Sequence, residues 1–298
     1  MRKIIFGIRK SRLARSQLNE FIAYLESYKL TFDYSIKTIM TEADSNQVSP
    51  VQEMGRGVFV KEIEQALLRQ DIDCAVHSLK DVPVEIAPGS RLACFAPRQD
   101  ARDCLIAGEK IAVENLRGLR VGTGCPRREA FLKEIETDLE VLPLRGNVDT
   151  RVSKMAAGAY DAVVLAACGL RRLEYAAMIR RYFDPDTFVP AAGQGIICGQ
   201  IRGDDAALSN ALKNCSCVDT EIAALAERKV LKLLEVGCQK PFGVYARFEN
   251  GEFIITAKAY LEKNLTYIYE RRKCLRADSE KAADELIEAM KTKMGLDC

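Results

Sequence analysis

The sequence predicts an α/β protein with two doubly wound lobes and a small C-terminal α+β domain. Three observations carry that expectation. Apolar strand-like runs alternate with segments of helical periodicity twice over, the pattern resetting around residues 96–103. Beyond residue 219 the texture changes to a helix and then to period-two alternation next to Asn250-Gly251, a two-residue hairpin turn. A chain of 298 residues also exceeds the size at which one hydrophobic core keeps growing.

In the first lobe residues 3–8 read as a strand. Ala14, Leu18, Phe21, Ile22 and Leu25 then recur at helical spacing behind Ser11, whose hydroxyl suits a helix N-cap. A second strand spans 32–39, and the polar, aperiodic stretch 41–57 reads as a loop or lid. A helix over 58–68 feeds the apolar run 74–76. The second lobe repeats the alternation with strand 119–122, helix 126–135, strand 139–144, helix 148–155 and strand 162–166. The pattern breaks near 185–195, where the chain is expected to cross back. Helix 219–234 opens the last domain, Phe253, Ile255 and Ala257 alternate within it, and helix 279–294 packs through Ala282, Leu286 and Met290. The expected division is 1–97 with 194–215, then 98–193, then 216–298.

Composition narrows the function. Hydrophobic residues at 48% and charged residues at 29% are ordinary globular values and exclude extended disorder. Eleven cysteines, with too short an apolar stretch in residues 1–12 for a secretory leader, point to the cytoplasm. No apolar run approaches the eighteen or so residues of a membrane helix. A net charge of +2 with 7% aromatics offers no basic face interleaved with rings, so nucleic acid is not an expected partner. Arginine, however, outnumbers lysine 25 to 19, a bias that suits planar, two-point recognition of carboxylates or phosphates.

The arginines sit where such recognition is built. Arg9 follows the first strand, Arg127 and Arg128 open a helix, Arg145 stands beside Gly146 with Arg151 one turn later, and Arg171-Arg172 follow a strand. Near helix N-termini their charge adds to backbone donors, which favours small polyanionic ligands. Asp81 lies just past the carboxyl end of a predicted parallel strand, where ligands bind in open α/β sheets, with Pro83 stopping the strand two residues later. His77, the only histidine, lacks a nucleophile-elbow sequence and reads as a structural, hydrogen-bonded residue. No His-x-Glu occurs and Cys215-Ser216-Cys217 is too tightly spaced for a zinc deaminase site, so no metal is expected. Cys238 stands in a glycine- and proline-bounded loop that displays its thiol, although spacing alone distinguishes it little from the other cysteines.

Taken together, Gly57-Val58-Phe59-Val60-Lys61-Glu62, Ala75-Val76-His77-Ser78-Leu79-Lys80-Asp81-Val82-Pro83, Leu144-Arg145-Gly146-Asn147-Val148-Asp149-Thr150-Arg151, Pro190-Ala191-Ala192-Gly193-Gln194-Gly195 and Gly237-Cys238-Gln239 with Pro241 and Gly243 resemble the hydroxymethylbilane synthase (porphobilinogen deaminase) family along nearly the whole chain. That resemblance implies two lobes like those of type II periplasmic binding proteins and a third domain whose loop carries a cysteine. It implies a cytoplasmic, monomeric transferase that condenses four porphobilinogen molecules, releasing ammonia, on a dipyrromethane cofactor held as a thioether to Cys238. Asp81 matches the catalytic acid. Ser11, Lys80, Thr123, Arg127, Arg128 and Arg151 match cofactor-holding positions. Arg9, Arg145, Arg151 and Arg172, with Phe59 and Gln194 lining the cleft, match substrate-holding positions.

The implied chemistry suits these residue types. Each porphobilinogen brings an acetate and a propionate, which arginines would hold, and loss of ammonia leaves an azafulvene cation that an ionised Asp81 would stabilise. Gly122-Thr123-Gly124-Cys125-Pro126 departs from the family's usual Gly-Thr-Ser-Ser-Leu and removes two hydroxyl donors, leaving backbone amides in their place. Arg12 stands where proline is common, and Glu42-Ala43 departs in the Thr-x-Gly-Asp region. A carboxylate receptor on the same two-lobed scaffold is the second reading; it would explain the arginines and leave Asp81 and Cys238 without a task.

Overall fold

The computed structural model describes residues 3–45, 57–109, 111–237 and 240–296. The chain begins with β1 (Ile4–Arg9), α1 (Arg12–Ser27), β2 (Tyr34–Ile39), α2 (Glu42–Ser45), α3 (Lys61–Leu68), β3 (Cys74–Ser78) and β4 (Ser90–Phe95). It continues with β5 (Asp103–Ala107), β6 (Arg120–Thr123), α4 (Pro126–Ile135), β7 (Glu140–Pro143), α5 (Val148–Ala156), β8 (Ala162–Ala166), α6 (Ala167–Arg172) and β9 (Ile179–Tyr182). β10 (Ile197–Arg202), α7 (Ala206–Lys213), α8 (Val218–Leu233), β11 (Phe242–Glu249), β12 (Glu252–Leu261), β13 (Thr266–Leu275) and α9 (Ser279–Met294) complete it. Two compact units result, 1–99 with 195–221 and 100–194 with 222–298.

Each unit holds a five-stranded mixed sheet of the same plan. In the first unit the order is β2-β1-β3-β10-β4, with β1 parallel to β2 and β3 and with β10 antiparallel to β3 and β4. In the second it is β7-β6-β8-β5-β9, with β6 parallel to β7 and β8 and with β5 antiparallel to β8 and β9. The two α/β lobes are therefore as expected; β10, which follows the segment 185–195, lies in the sheet of the first unit. The antiparallel strands β5 and β10, buried at every residue, are not among the strands expected from the sequence. With both faces covered, neither shows the alternation by which a strand is recognised in sequence.

α1 starts at the expected cap, the Ser11 Oγ accepting the Ala14 N–H at 3.2 Å. It buries Ala14, Leu18, Phe21, Ile22 and Leu25 against Ile4, Phe6 and Ile8 of β1 and Ile197 and Ile201 of β10. α3 begins three residues later than expected, because 57–60 form a turn with Gly57 at φ +78°. β3 runs two residues past its expected end, to Ser78. Residues 46–56 of the expected loop or lid lie outside the described residues.

β11, β12 and β13 form an antiparallel sheet, with Asn250 and Gly251 at φ +52° and +83° as the hairpin turn demands. Phe253, Ile255 and Ala257 face α8 and α9. The alternate residues Ile254, Thr256 and Lys258 are buried too. Lys258 reaches Glu134 of α4 and donates to the Thr187 carbonyl at 2.8 Å, while the Tyr267 hydroxyl donates to the Ala130 carbonyl at 2.7 Å. Among the described residues no helix is long and apolar enough to cross a membrane.

Candidate active site

In the first unit the loop after β3 turns at once into a 3-10 segment over Leu79–Asp81, anchored by the Leu79 N–H on the Ile196 carbonyl at 3.0 Å. Asp81 is thereby fixed at the sheet rim, and it lines a pocket with Arg9, Ser11, Gln17, Phe59 and Ser78. Four of the expected residues thus come together: Arg9, Ser11, Phe59 and Asp81. Lys80, half-buried on the same turn, is not part of that lining.

The Arg9 guanidinium stacks 4.8 Å from the Phe59 ring centroid, and its Nη2 contacts Asp44 Oδ1 at 2.6 Å. Burial would push the Asp44 carboxyl up, but Arg9 and the Thr41 hydrogen bonds overcome it and hold the carboxyl below its usual range. Beneath the rim, His77 is buried and its Nε2 lies 2.9 Å from Gln200 Oε1. Burial pulls its pKa down to about 4, so at neutral pH it is an uncharged structural residue, as its sequence context suggested.

In the second unit β6 ends at Thr123, and α4 opens with Pro126 at its first position and Arg127 and Arg128 directly behind. Both guanidinium groups turn inward onto Asp103, the first residue of β5, which is wholly buried. Arg127 Nη2 donates to Asp103 Oδ2 at 2.7 Å and its Nη1 to the Val189 carbonyl at 2.8 Å. Arg128 donates to Asp103 Oδ1 from Nε (3.0 Å) and Nη2 (2.7 Å), and from Nη1 to the Val164 carbonyl at 3.2 Å. Gln194, expected to line the cleft, is 1% exposed, and its Nε2 donates to Asp103 Oδ1 at 3.0 Å and to the Ala101 carbonyl at 2.7 Å. Burial alone would raise the Asp103 carboxyl; the two guanidinium charges and the Gln194 bond instead bring it down to about 2. Arg127 Nε, buried, has no hydrogen-bond partner among the described residues.

The departure at Gly124-Cys125-Pro126 has a local reason in part. A Cβ on Gly124 would lie 2.6 Å from the Leu144 carbonyl oxygen, so a side chain there would force the chain apart. Cys125 sits at the N-cap of α4, its N–H donating to Thr123 Oγ1 at 3.2 Å. Burial raises the Cys125 thiol, but the charges of Arg127 and Arg128 and the Arg128 N–H outweigh it, so its pKa falls below the ordinary cysteine value. Arg151, in α5, donates from Nε to the Gly146 carbonyl at 2.7 Å. Burial lowers the pKa of Arg145. Arg172 is the last residue of α6. Cys238 lies outside the described residues; beside it, the Lys240 N–H donates to the Gly237 carbonyl at 3.0 Å.

Sequence reading missed Asp44 and Asp103, the carboxylates that the arginines hold. For Asp103 a signal existed: an acid heading the apolar run Asp103-Cys104-Leu105-Ile106-Ala107 must find cationic partners if that run is buried.

The family model described as porphobilinogen deaminase, dipyromethane cofactor binding domain, matches residues 4–210, and that of the porphobilinogen deaminase C-terminal domain matches 221–292. A porphobilinogen deaminase of Geobacillus sp. is 41% identical over 258 residues, 86% of this chain and 83% of that one. Another, from Lysinibacillus sphaericus, is 38% identical over 300 residues, 99% of this chain and 95% of its own. Among solved structures, the periplasmic aliphatic sulphonate binding protein of Escherichia coli aligns with 79% of this chain and 71% of its own, at 13% identity and a TM-score of 0.41.

Proposed function

The chain belongs to the porphobilinogen deaminase family, and we propose how its own residues carry that family's hydroxymethylbilane synthase reaction in porphyrin biosynthesis. It is an enzyme, read here as a transferase that joins four porphobilinogen molecules head to tail with release of ammonia. The observation that carries the reading is Asp81, an acid fixed at the end of a parallel strand in a pocket with Arg9, Ser11 and Phe59.

The dipyrromethane cofactor carries the acetates and propionates of two pyrroles, and the donor set suits it. Thr123, Arg127, Arg128, Arg151, Ser11 and Lys80, the residues that match the family's cofactor-holding positions, are hydroxyls and cations, and Arg127 Nε is a buried donor with no partner among the described residues. When bound, the cofactor supplies the pyrrole end onto which substrate is joined. Cys238 is the proposed attachment residue, its sulfur being the nucleophile that a thioether needs.

Arg9, Arg145, Arg151 and Arg172 hold substrate carboxylates, and Phe59 supplies an apolar wall. The Asp81 carboxylate stabilises the positive charge that develops as ammonia leaves and accepts the pyrrole proton on one of its oxygens. A positioned acid-base group of this kind contributes about a hundredfold or more. We read the chain as three domains, 1–97 with 194–215, 98–193 and 216–298, and the protein as a cytoplasmic monomer.

Intact mass measured under denaturing, reducing conditions tests the assignment of Cys238. A two-pyrrole adduct should persist, and peptide mapping should place it on the fragment containing Cys238, because a carbon–sulfur thioether survives thiol exchange. Cys238→Ser should purify without the adduct and inactive. An unmodified Cys238 in fully active protein would remove the proposed mechanism.

A further inference from the structure

Asp103 does more than neutralise two cations. Its carboxylate grips both ends of the strap 189–194. One grip is direct, through Gln194 Nε2 on Oδ1. The other runs through Arg127, which binds Asp103 Oδ2 with one nitrogen and the Val189 carbonyl with another. The far side of the strap is held to β11 and α8. The Val244 N–H donates to the Pro190 carbonyl at 3.0 Å, and a Cβ on Gly243 would lie 2.4 Å from the Val189 oxygen, so the two segments touch backbone to backbone. The buried Glu227 of α8 accepts the Gly193 N–H at 2.6 Å and the Ala246 N–H at 2.7 Å, tying strap and β11 together again. β11 starts four residues after Cys238.

From this closed circuit we infer that Asp103 is a positioning residue: with Gln194 it sets the strap and the first residues of β11, and holds in place the Arg127 guanidinium that meets the cofactor's carboxylates. The inference rests on the reading of Arg127 as a cofactor-holding residue and of Cys238 as the attachment site. Buried, multiply bonded carboxylates of this kind hold a geometry because each oxygen has no alternative partner once water is excluded.

The test is a double-mutant cycle read on cofactor loading, the fraction of chains that carry the two-pyrrole adduct by intact mass after a fixed incubation of adduct-free protein with porphobilinogen. Each variant is assayed well below its own melting temperature, which is recorded in parallel. Asp103→Asn should lower the loaded fraction about fivefold or more, the scale of coupling between contacting residues. In the Arg127→Gln background the loss should be clearly smaller than in the wild type, the part that remains, about twofold, acting through Arg128, which Asp103 also holds. Gln194→Met, close in size and uncharged, should lower loading in the same sense by a smaller factor, and it decides the matter if Asp103→Asn does not fold. Normal loading in the folded Asp103→Asn and Gln194→Met proteins, with only their melting lowered, would overturn the inference; so would an Asp103→Asn loss of equal size in both backgrounds. If instead Arg127→Gln alone loaded as wild type, the fault would lie with the cofactor-holding role of Arg127.

Discussion

Arg127→Lys keeps the charge and removes the fork. The wild-type guanidinium, 2% exposed, spans Asp103 Oδ2 at 2.7 Å and the Val189 carbonyl at 2.8 Å with two different nitrogens. A lysine ammonium is a point donor on a shorter reach and can serve one of them. Asp103 stays paired with Arg128, so the variant avoids the ~3–5 kcal/mol that an orphaned buried charge costs. It still loses a hydrogen bond to a buried group, a charge-assisted one on the donor side, at about 2 kcal/mol. At roughly 2–4 °C per kcal/mol for a large domain, melting should fall by about 4–8 °C. The assay is thermal unfolding of Arg127→Lys beside Arg117→Lys, whose pair with Asp138 is exposed (70% and 54%) and should cost less than about 1 kcal/mol. Cofactor loading by intact mass is read on the same samples and should fall for Arg127→Lys alone. Melting of Arg127→Lys within a degree of wild type, or an equal drop in both variants, would refute the reasoning.

Asp81→Asn, which keeps shape and removes charge, should cut turnover at least about a hundredfold while leaving melting and the bound adduct intact; near-normal turnover would sink the assignment. Cys125, half-buried beside Arg127 and Arg128, should react with iodoacetamide at pH 7 ahead of the buried Cys74, Cys94 and Cys104, whose thiols burial pushes up. Labelling of those three first would show that the charge argument fails. The chain's single histidine gives an acid-side signature: His77 binds its proton near 6.5 when unfolded and only near 4 when folded, so stability present above pH 6.5 is lost as pH falls toward 4. Between pH 6.5 and 5 the loss should reach about 2 kcal/mol in urea unfolding, and His77→Gln should flatten that limb. Asp103 adds a later loss, as pH drops from about 4 toward 2. A wild-type profile flat from pH 6.5 to 5 would contradict the burial of His77.

Much of the fold could be read directly where the physics is local. α4 and α9 fall on the expected residues, 126–135 and 279–294, because Pro126 at a first helical turn and the spacing of Ala282, Leu286 and Met290 are short-range signals. β5 and β10 were illegible for the opposite reason: their pairing is set by partners far along the chain and neither carries a two-residue alternation, while β9, the partly exposed Ile-Arg-Arg-Tyr, has too few apolar residues to read as a strand. The site divides the same way. Asp81, Arg9 and Ser11 declare themselves by standing at strand and helix ends. Asp103, an acid heading an apolar run, signals that it needs partners but not which ones, since these are two arginines 24 and 25 residues away and a glutamine 91 away. The sequence shows the arginine pair as donors for a ligand but not that both also hold the one buried carboxylate of Asp103, with Arg127 Nε left over as a donor.

The most direct test of the whole account is product stoichiometry: purified, adduct-bearing protein is given porphobilinogen, and ammonia and pyrrole products are measured together. One ammonia should appear for each porphobilinogen consumed, and the released product should be the linear tetrapyrrole hydroxymethylbilane. Porphobilinogen that is bound but not consumed, with no ammonia formed, would mark the chain as a carboxylate receptor and contradict the account.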